Sequence, residues 1–304
     1  MMSGPLVSVG IPSYNRPKGL RRTLDCITGQ TYKNLEIIIS DNCSDDPQVE
    51  SIIQEFSRRD NRIRYYRQDR NKGAGFNFPF VLEKATGPYF MWAADDDWWD
   101  NTYISKCMDV FIKNPDVVLC STWALLVDAD NRVVRQDYHE NIDTLGLSRR
   151  ARLKKVIRGV VFNTHFYGLR KTEITRKIDL KPYYGNDHVL MMQLSYYGSF
   201  VILPEVLYSC NISGTGSSPV RILRALGYKS ILVTISPSFS IMKSYFEEIV
   251  STKCLTGYEK VFAIIYVIQR YITKPYIVEI IHDLFRLPGK IIQSFRKMVS
   301  SLIG

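Results

Sequence analysis

Apolar positions in the first hundred residues alternate between two periods. Short runs at Leu6-Val7-Ser8-Val9-Gly10-Ile11, Leu35-Glu36-Ile37-Ile38-Ile39-Ser40, Ile63-Arg64-Tyr65-Tyr66 and Tyr89-Phe90-Met91-Trp92-Ala93-Ala94 have the length of strands. Between them, Leu20, Leu24 and Ile27, then Val49, Ile52, Ile53 and Phe56, recur at the spacing of one helix face. Pro47 suits the first turn of the second helix. A third helix follows Asn71-Lys72-Gly73-Ala74-Gly75 and ends near Ala85-Thr86-Gly87. Strands alternating with helices, and apolar on both faces, predict an α/β fold with a parallel sheet. Its ligand crevice is expected at the carboxyl ends of the strands.

Further on, the pattern predicts a helix over Tyr103 to Ile112, closed by Asn114-Pro115, and a strand from Val117 to Leu126. A basic helix is expected from Leu147 to Val161, then a helix opening at Tyr183-Tyr184-Gly185-Asn186-Asp187-His188, then a strand from Phe200 to Tyr208. Gly214 to Pro219 has the composition of a linker. The apolar run Val261 to Ile268 is too short to span a bilayer. At the end, Ile291, Ile292, Phe295, Met298, Val299, Leu302 and Ile303 share one helical face, with Lys290, Arg296 and Lys297 off it. That is the pattern of an interfacial membrane helix, with a core-packing or dimerising helix as the alternative.

Acidic and polar residues gather where the strands end. The first strand runs into Pro12-Ser13-Tyr14-Asn15, the second into Asp41-Asn42-Cys43-Ser44-Asp45-Asp46, and the fourth into Asp95-Asp96-Asp97. Three adjacent carboxylates repel one another unless a cation or partner relieves them. Hard oxygen ligands suit Mg²⁺ or Mn²⁺, which in turn suits a phosphate-bearing substrate. The plain alternative is an acidic turn capping the next helix at Asp100 or Asn101. A second acidic pair, Asp128 and Asp130, lies between two apolar runs and is expected as a hairpin turn. No G-x-G-x-x-G follows the first strand, which argues against a Rossmann dehydrogenase.

Composition narrows the setting. A chain of 304 residues with 45% hydrophobic content can bury a sizeable core. Its six cysteines show no C-x-x-C spacing and read as free thiols of a reducing cytosol. The first fifteen residues lack the basic and apolar regions of a signal peptide. The net charge of +10 is concentrated between Arg149 and Lys181, where eleven Lys and Arg face only Glu173 and Asp179. Such a stripe can meet anionic lipid, a diphosphate or nucleic acid. Without an aromatic stacking platform, nucleic acid is not expected as a partner.

The blocks VSVGIPSYNR, QTYKNLEIIISDNCSDD and NKG…KATGPYFMWAADDDWWD, in this order and spacing, resemble the nucleotide-binding half of inverting glycosyltransferases of family 2. The resemblance covers about the first two-thirds of the chain and implies a GT-A fold, a mostly parallel Rossmann-like sheet flanked by helices, with a C-terminal helical appendage. It implies that Pro12, Ser13, Tyr14 and Asn15 form a loop over the nucleotide, and that Asp41 hydrogen-bonds the base, usually uracil. The resemblance implies that Asn71 and Lys72 belong to the same nucleotide-sugar site. Asp95, Asp96 and Asp97 look like the family's DxD motif, with Asp95 and Asp96 near ribose and metal and Asp97 as the direct ligand of Mn²⁺ or Mg²⁺, Asp95 beside it. Phe166-Tyr167-Gly168-Leu169-Arg170 is similar to a strand that precedes the family's catalytic acid, and Asp187 is similar to the general base that deprotonates the acceptor. A helix N-cap is the structural alternative for Asp187. His188 is expected to pair with Asp187, face the acceptor or lie on the surface.

The chain departs from the family at three points. Phe78 stands where an arginine often meets the diphosphate, leaving Arg67, Arg70 or Lys72 as substitutes; Asn186 replaces a Glu, and Asn211 replaces a His that can reach the metal. The expected division is a catalytic region over 1–213, its nucleotide-sugar half 1–100 and acceptor half 101–213, then a helical region 214–304 that associates with the membrane. The expected activity is transfer from a nucleotide-diphosphate sugar, UDP-linked, to a glycan or polyprenyl-linked glycan in surface polysaccharide assembly. The expected location is the cytoplasm, peripheral on the inner face of the cell membrane. A sugar-nucleotide nucleotidyltransferase and a decayed membrane-bound scaffold are the alternatives.

Overall fold

Strands β1 (Val7–Ser13), β2 (Leu35–Asp41), β3 (Ile63–Arg67) and β4 (Tyr89–Trp92) lie parallel in the order β3-β2-β1-β4. The computed structural model describes residues 4–128, 130, 132–136, 140–181, 184–213 and 236–273. Alternation along the strands divides the core. Val7, Val9, Ile11, Ile37, Ile39 and Met91 pack with Leu20, Leu24 and Ile27 of α1 (Pro17–Thr28) and the apolar face of α2 (Pro47–Arg59). Ile38, Phe90 and Trp92 face Val81 and Leu82 of α3 (Ala74–Lys84) on the other side. Asp46 caps α2 by accepting from Gln48 N at 2.9 Å, and Pro47 fills the position where an amide would have no helical partner.

The second half comprises β5 (Trp98–Trp99), α4 (Tyr103–Lys113), β6 (Val117–Val127), β7 (Val133–Gln136), α5 (Arg149–Gly159), a 3-10 turn over Thr164–Tyr167, β8 (Leu169–Lys171), α6 (Thr172–Arg176), α7 (Asn186–Tyr197) and β9 (Ser199–Asn211). Strand β8 pairs antiparallel with both β4 and β6 and joins the halves into one sheet. β9 runs parallel to β6, while β5 pairs antiparallel with the end of β9. The sheet is thus parallel through its first four strands and mixed beyond them.

Two expectations shift here. Pro12 and Ser13 belong to β1 itself, paired with Ser40 and Asp41, so the nucleotide loop begins only at Tyr14. Neither Asp100 nor Asn101 is the N-cap of α4. Thr102 occupies that place, and Asp100 instead accepts from the Thr102 amide at 2.9 Å and its hydroxyl at 2.6 Å.

Helices α8 (Pro237–Ser251) and α9 (Gly257–Ile272) form a third core with α5 and α7. Leu153 and Ile157, Val189 and Met192, Tyr245 and Ile249, and Ala263 and Val267 interlock there. Arg270 of α9 donates to the Ile157 carbonyl at 2.6 Å. Residues 236–273 therefore share their core with helices of the expected acceptor half. The linker at 214–219 and the amphipathic face at 291–303 lie outside the described residues. Among the described residues, no helix is long and apolar enough to cross a membrane.

Candidate active site

The register of the parallel strands places Ser13, Asp41 and Arg67 in one row at their carboxyl ends. Asp41 is fully buried. One carboxylate oxygen accepts from Ser44 N at 2.9 Å and the other from Arg67 Nη1 at 2.7 Å. Asn15, in the left-handed region at φ 53°, accepts from the amides of Asp45 and Asp46 at 2.8 and 3.2 Å and ties the first loop to the second. Asn42 donates to Asn71 Oδ1 at 2.9 Å and accepts from Lys72 N at 2.9 Å. The predicted nucleotide residues Ser13, Tyr14, Asn15, Asp41, Asn71 and Lys72 thus form one continuous rim.

The acidic turn is clamped from two sides. Asp95 Oδ2 accepts from Ser13 Oγ at 2.9 Å and Tyr14 N at 3.1 Å, and Oδ1 accepts from Arg16 Nη1 at 2.9 Å. The same guanidinium nitrogen pairs with Asp96 at 2.8 Å. From α1, Thr23 donates to the carbonyls of Ala94 and Asp97 at 2.9 and 3.2 Å, and Arg22 donates to the Asp96 carbonyl. Gly19 makes this docking possible, since a Cβ there would lie 2.4 Å from the Asp95 carbonyl oxygen. On the far side, β5 pairs Trp98 with Ser209 and Trp99 with Tyr208. This brings the Tyr208 hydroxyl and the Asn211 amide (2.8 Å) to the Asp97 carboxylate.

Burial raises all three carboxyls above the ordinary range. Asp97 is pushed to about 8 by desolvation and then by Asp96, and Asp96 to about 6 by desolvation and then by Asp95. Asp95 is raised by burial against the opposing pull of Arg16. Among the described residues no basic side chain hydrogen-bonds Asp97 and, of the cations, only the charge of Arg22 opposes its burial, so a divalent cation would add countercharge there. Both expected ligands already have both oxygens engaged, Asp95 by Ser13, Tyr14 and Arg16 and Asp97 by the Tyr208 hydroxyl and the Asn211 amide. No three Asp, Glu, His or Cys side chains converge to cage an ion among the described residues. Asn211 meets Asp97 only through its backbone, and its side-chain oxygen accepts from Ser213 N at 2.9 Å.

A second carboxylate approaches from α7. Gly185 is the N-cap at φ 80°, and a Cβ there would lie 2.6 Å from Ile241. Asp187 is therefore the second helical residue and not the cap. Its carboxylate accepts from Asn163 Nδ2 at 3.0 Å instead. Asn163 has φ 57°, and its amide donates to Glu140 Oε1 at 2.8 Å. Tyr167 is subject to the charge of both acidic centres. Its hydroxyl is held well above 10 by burial, and the charges of Asp97, Asp96 and Asp187 all act on it. The Tyr167 ring lies 5.9 Å from that of Tyr208. His188 is buried rather than on the surface, and desolvation lowers it to about 4, so it stands beside Asp187 as a neutral imidazole.

The position of the missing family arginine is occupied by aromatic packing. Phe78 lies 6.3 Å from Trp92 and 6.0 Å from Phe166, ring to ring. Of the expected substitutes, Arg67 is paired with Asp41 and Lys72 with Asp69 at 2.7 Å. The cations that meet the acidic turn are Arg16, which ends the PSYNR block, and Arg22 of α1; the sequence pattern singled out neither. Asn163, Tyr167 and Tyr208 were also missed as site residues, because only the tertiary fold brings them to the carboxylates. Asp128 and Asp130 form the expected hairpin turn, Asp128 Oδ1 accepting from Asp130 N and Arg132 N, each at 2.9 Å.

Fold and crevice together define the class, an α/β chain of GT-A architecture with its acidic turn at a strand end. The model of glycosyl transferase family 2 matches residues 8–179, and the chain belongs to that family. It is 26% identical over 203 residues to the GalNAc(5)-diNAcBac-PP-undecaprenol beta-1,3-glucosyltransferase of Campylobacter jejuni, covering 65% of this chain and 62% of that one. Among solved structures, S. aureus TarS 1-349 in complex with UDP-GlcNAc superposes with a TM-score of 0.64 at 15% identity, over 88% of this chain and 73% of that one. The mannosyltransferase PcManGT of Pyrobaculum calidifontis, in complex with GDP-Man and Mn²⁺, superposes with a TM-score of 0.63 at 14% identity, over 97% and 80%. Both likenesses concern the fold. The chain spans 26% of the length of a Rickettsia felis glycosyltransferase that it also matches.

Proposed function

We propose that the chain is an inverting glycosyltransferase that moves a sugar from a nucleotide diphosphate, UDP in the simplest case, to a hydroxyl of a glycan or polyprenyl-linked glycan. The observation that carries this reading is a pair of acidic centres, each clamped by its own donor, Arg16 on one and Asn163 on the other. One is a buried acidic turn at the end of a parallel strand, and the other is a single carboxylate, Asp187, at a helix start. Asp187 accepts the acceptor's proton as its oxygen bonds to the anomeric carbon. The bond from that carbon to the diphosphate breaks, and one displacement inverts the centre. Ser13, Tyr14, Asn15, Asn71 and Lys72 line the nucleotide rim, and Asp41 with Arg67 fixes its base end. Asp97 would be the principal ligand of Mg²⁺ or Mn²⁺, exchanging its Tyr208 or Asn211 contact for the ion, with Asp96 beside it, while Asp95 stays tied to Ser13, Tyr14 and Arg16. Bound there, such an ion supplies Lewis-acid stabilisation of charge on the departing diphosphate. Arg16 holds Asp95 and Asp96 in place and contributes the positive charge that Phe78 cannot.

The Campylobacter relative is named for an undecaprenol-linked acceptor, which supports a lipid-linked acceptor here; work at the inner face of the cell membrane, as in O-antigen or capsule assembly, is the setting we propose for it. The experiment is a screen of UDP- and GDP-sugars with Mn²⁺, read by thermal shift and by release of free nucleotide. Metal-dependent release with at least one sugar nucleotide is expected. Absence of both binding and release across the panel would overturn the assignment. Incorporation of the sugar 1-phosphate into a new nucleotide sugar would favour a nucleotidyltransferase.

A further inference from the structure

Helix α9 presents two unlike faces. Ala263, Tyr266, Val267 and Tyr271 are buried in the core shared with α5, α7 and α8. On the opposite side, Tyr258, Val261, Ile265, Ile268 and Ile272 recur every three or four residues and are 37 to 65% exposed. This ridge carries no charged side chain; Glu259 is turned back into the capping box with Thr256. Contiguous apolar ridges of this kind mark contact surfaces.

A row of cations runs alongside. Arg150, Lys154 and Arg158 are exposed at four-residue spacing on α5. The Arg150 guanidinium lies 3.4 Å from the centre of the Phe262 ring, and its Nε donates to Tyr266 Oη at 3.0 Å. Further along, Arg270 donates to the Ile157 carbonyl at 2.6 Å. These contacts hold the two helices side by side, so the apolar ridge and the cationic row are neighbours on one surface.

We propose that this surface docks the protein on an anionic phospholipid bilayer, with α9 lying in the interface and the α5 cations over the headgroups. Charge decides among the possible occupants. A second copy joined through the same patch on both subunits would bring a like row of cations. Residues 274–304 carry five Lys and Arg against Glu279 and Asp283, so they have the same sign as the row they would cover. An anionic bilayer complements both the greasy ridge and the cations. At 16 residues α9 is too short to cross the membrane and suits an in-plane position. The inference deepens the lipid-linked acceptor reading. Helix α7, which bears Asp187, packs in the same core as α5 and α9, so docking would place the base one helix layer from the lipid.

The test uses the full chain and vesicles of phosphatidylcholine with and without phosphatidylglycerol, read by co-sedimentation. Wild type is expected to pellet with the anionic vesicles and far less with the neutral ones. Ile268→Glu with Ile272→Glu should lower the partition coefficient by about tenfold or more, and Lys154→Glu with Arg158→Glu should remove the preference for phosphatidylglycerol. All variants should bind sugar nucleotide in solution as wild type does, which confirms their fold and separates this test from that of the activity. Unchanged pelleting of both double variants would overturn the proposal, placing any membrane contact elsewhere in the chain. So would failure of the wild type to pellet, or a dimer by light scattering that Ile268→Glu dissociates without changing vesicle binding.

Discussion

Asn163 Nδ2 donates to the Asp187 carboxylate at 3.0 Å, from a backbone held in the left-handed region at φ 57°. The amide thereby fixes the rotation of the proposed base before any acceptor arrives. Asn163→Gly keeps the backbone accessible while deleting the donor, because glycine adopts positive φ without strain. Turnover is expected to fall about tenfold, the worth of one hydrogen bond to a charged group, with nucleotide affinity unchanged. Asp187→Asn should lower turnover by about a hundredfold or more. Equal turnover of Asn163→Gly and wild type would remove Asn163 from the positioning of the base.

Gly19 sits inside α1, where glycine is less favourable than alanine by about 1 kcal/mol. Its place is explained by the Asp95 carbonyl, which a Cβ would approach to 2.4 Å. Gly19→Ala should therefore push the acidic turn off α1. The expected result is loss of most transfer activity with little change in melting temperature, since helix propensity offsets part of the strain. Lys18→Ala, one exposed position away, should be silent. A Gly19→Ala enzyme with wild-type turnover would mean that the turn does not need this docking.

Periodicity announced the strands and helices of the nucleotide half because β1, β2 and β4 are buried almost throughout while α1 and α2 each bury one apolar face. The acidic turn was legible for the same reason, as an abrupt end to an apolar strand. What stayed hidden depends on distant pairing. Tyr208 reaches Asp97 only because a two-residue strand, Trp98–Trp99, pairs with the end of β9. Asn163 reaches Asp187 only through the turn that Glu140 holds. An N-cap for Asp187 was a fair reading of composition, yet Gly185 takes the cap through its positive φ. Of the three settings open to His188, the surface is excluded, because α8 covers it, Tyr245 donating to the His188 carbonyl at 3.4 Å.

Asp41 is expected to act on nucleotide binding through Arg67 and the Ser44 loop. With both oxygens engaged, Asp41→Ala leaves the Ser44 amide and the Arg67 guanidinium without their acceptor, a loss of about 1 to 3 kcal/mol. Both the melting temperature and the affinity for UDP should drop, while turnover at saturating donor stays near wild type. Calorimetric titration of UDP together with a melting curve checks this. Unchanged affinity alongside a lowered melting temperature would confine Asp41 to stability.

Asp97 gives the metal-free protein a pH dependence of defined sign. Its folded carboxyl titrates at about 8, above the ordinary value of 3.8, because burial disfavours the charge and Asp96 adds repulsion. The folded state therefore binds a proton that the unfolded state has released. The stabilisation is fully present below the unfolded value and is lost as pH rises through about 8. Melting temperature without divalent ions should decline between those limits, as the unfolding free energy falls by at most about 1.4 kcal/mol per pH unit from this group. Asp97→Asn replaces the carboxylate with a neutral group of similar shape. It should flatten the decline and raise the melting temperature at the alkaline end, while abolishing transfer and any Mn²⁺-dependent gain in nucleotide affinity. Saturating Mn²⁺ should restore wild-type melting at that pH and leave Asp97→Asn unmoved. If the two proteins show parallel melting curves across the range with EDTA present, Asp97 does not carry the buried charge. If Mn²⁺ stabilises both equally, the ion binds elsewhere.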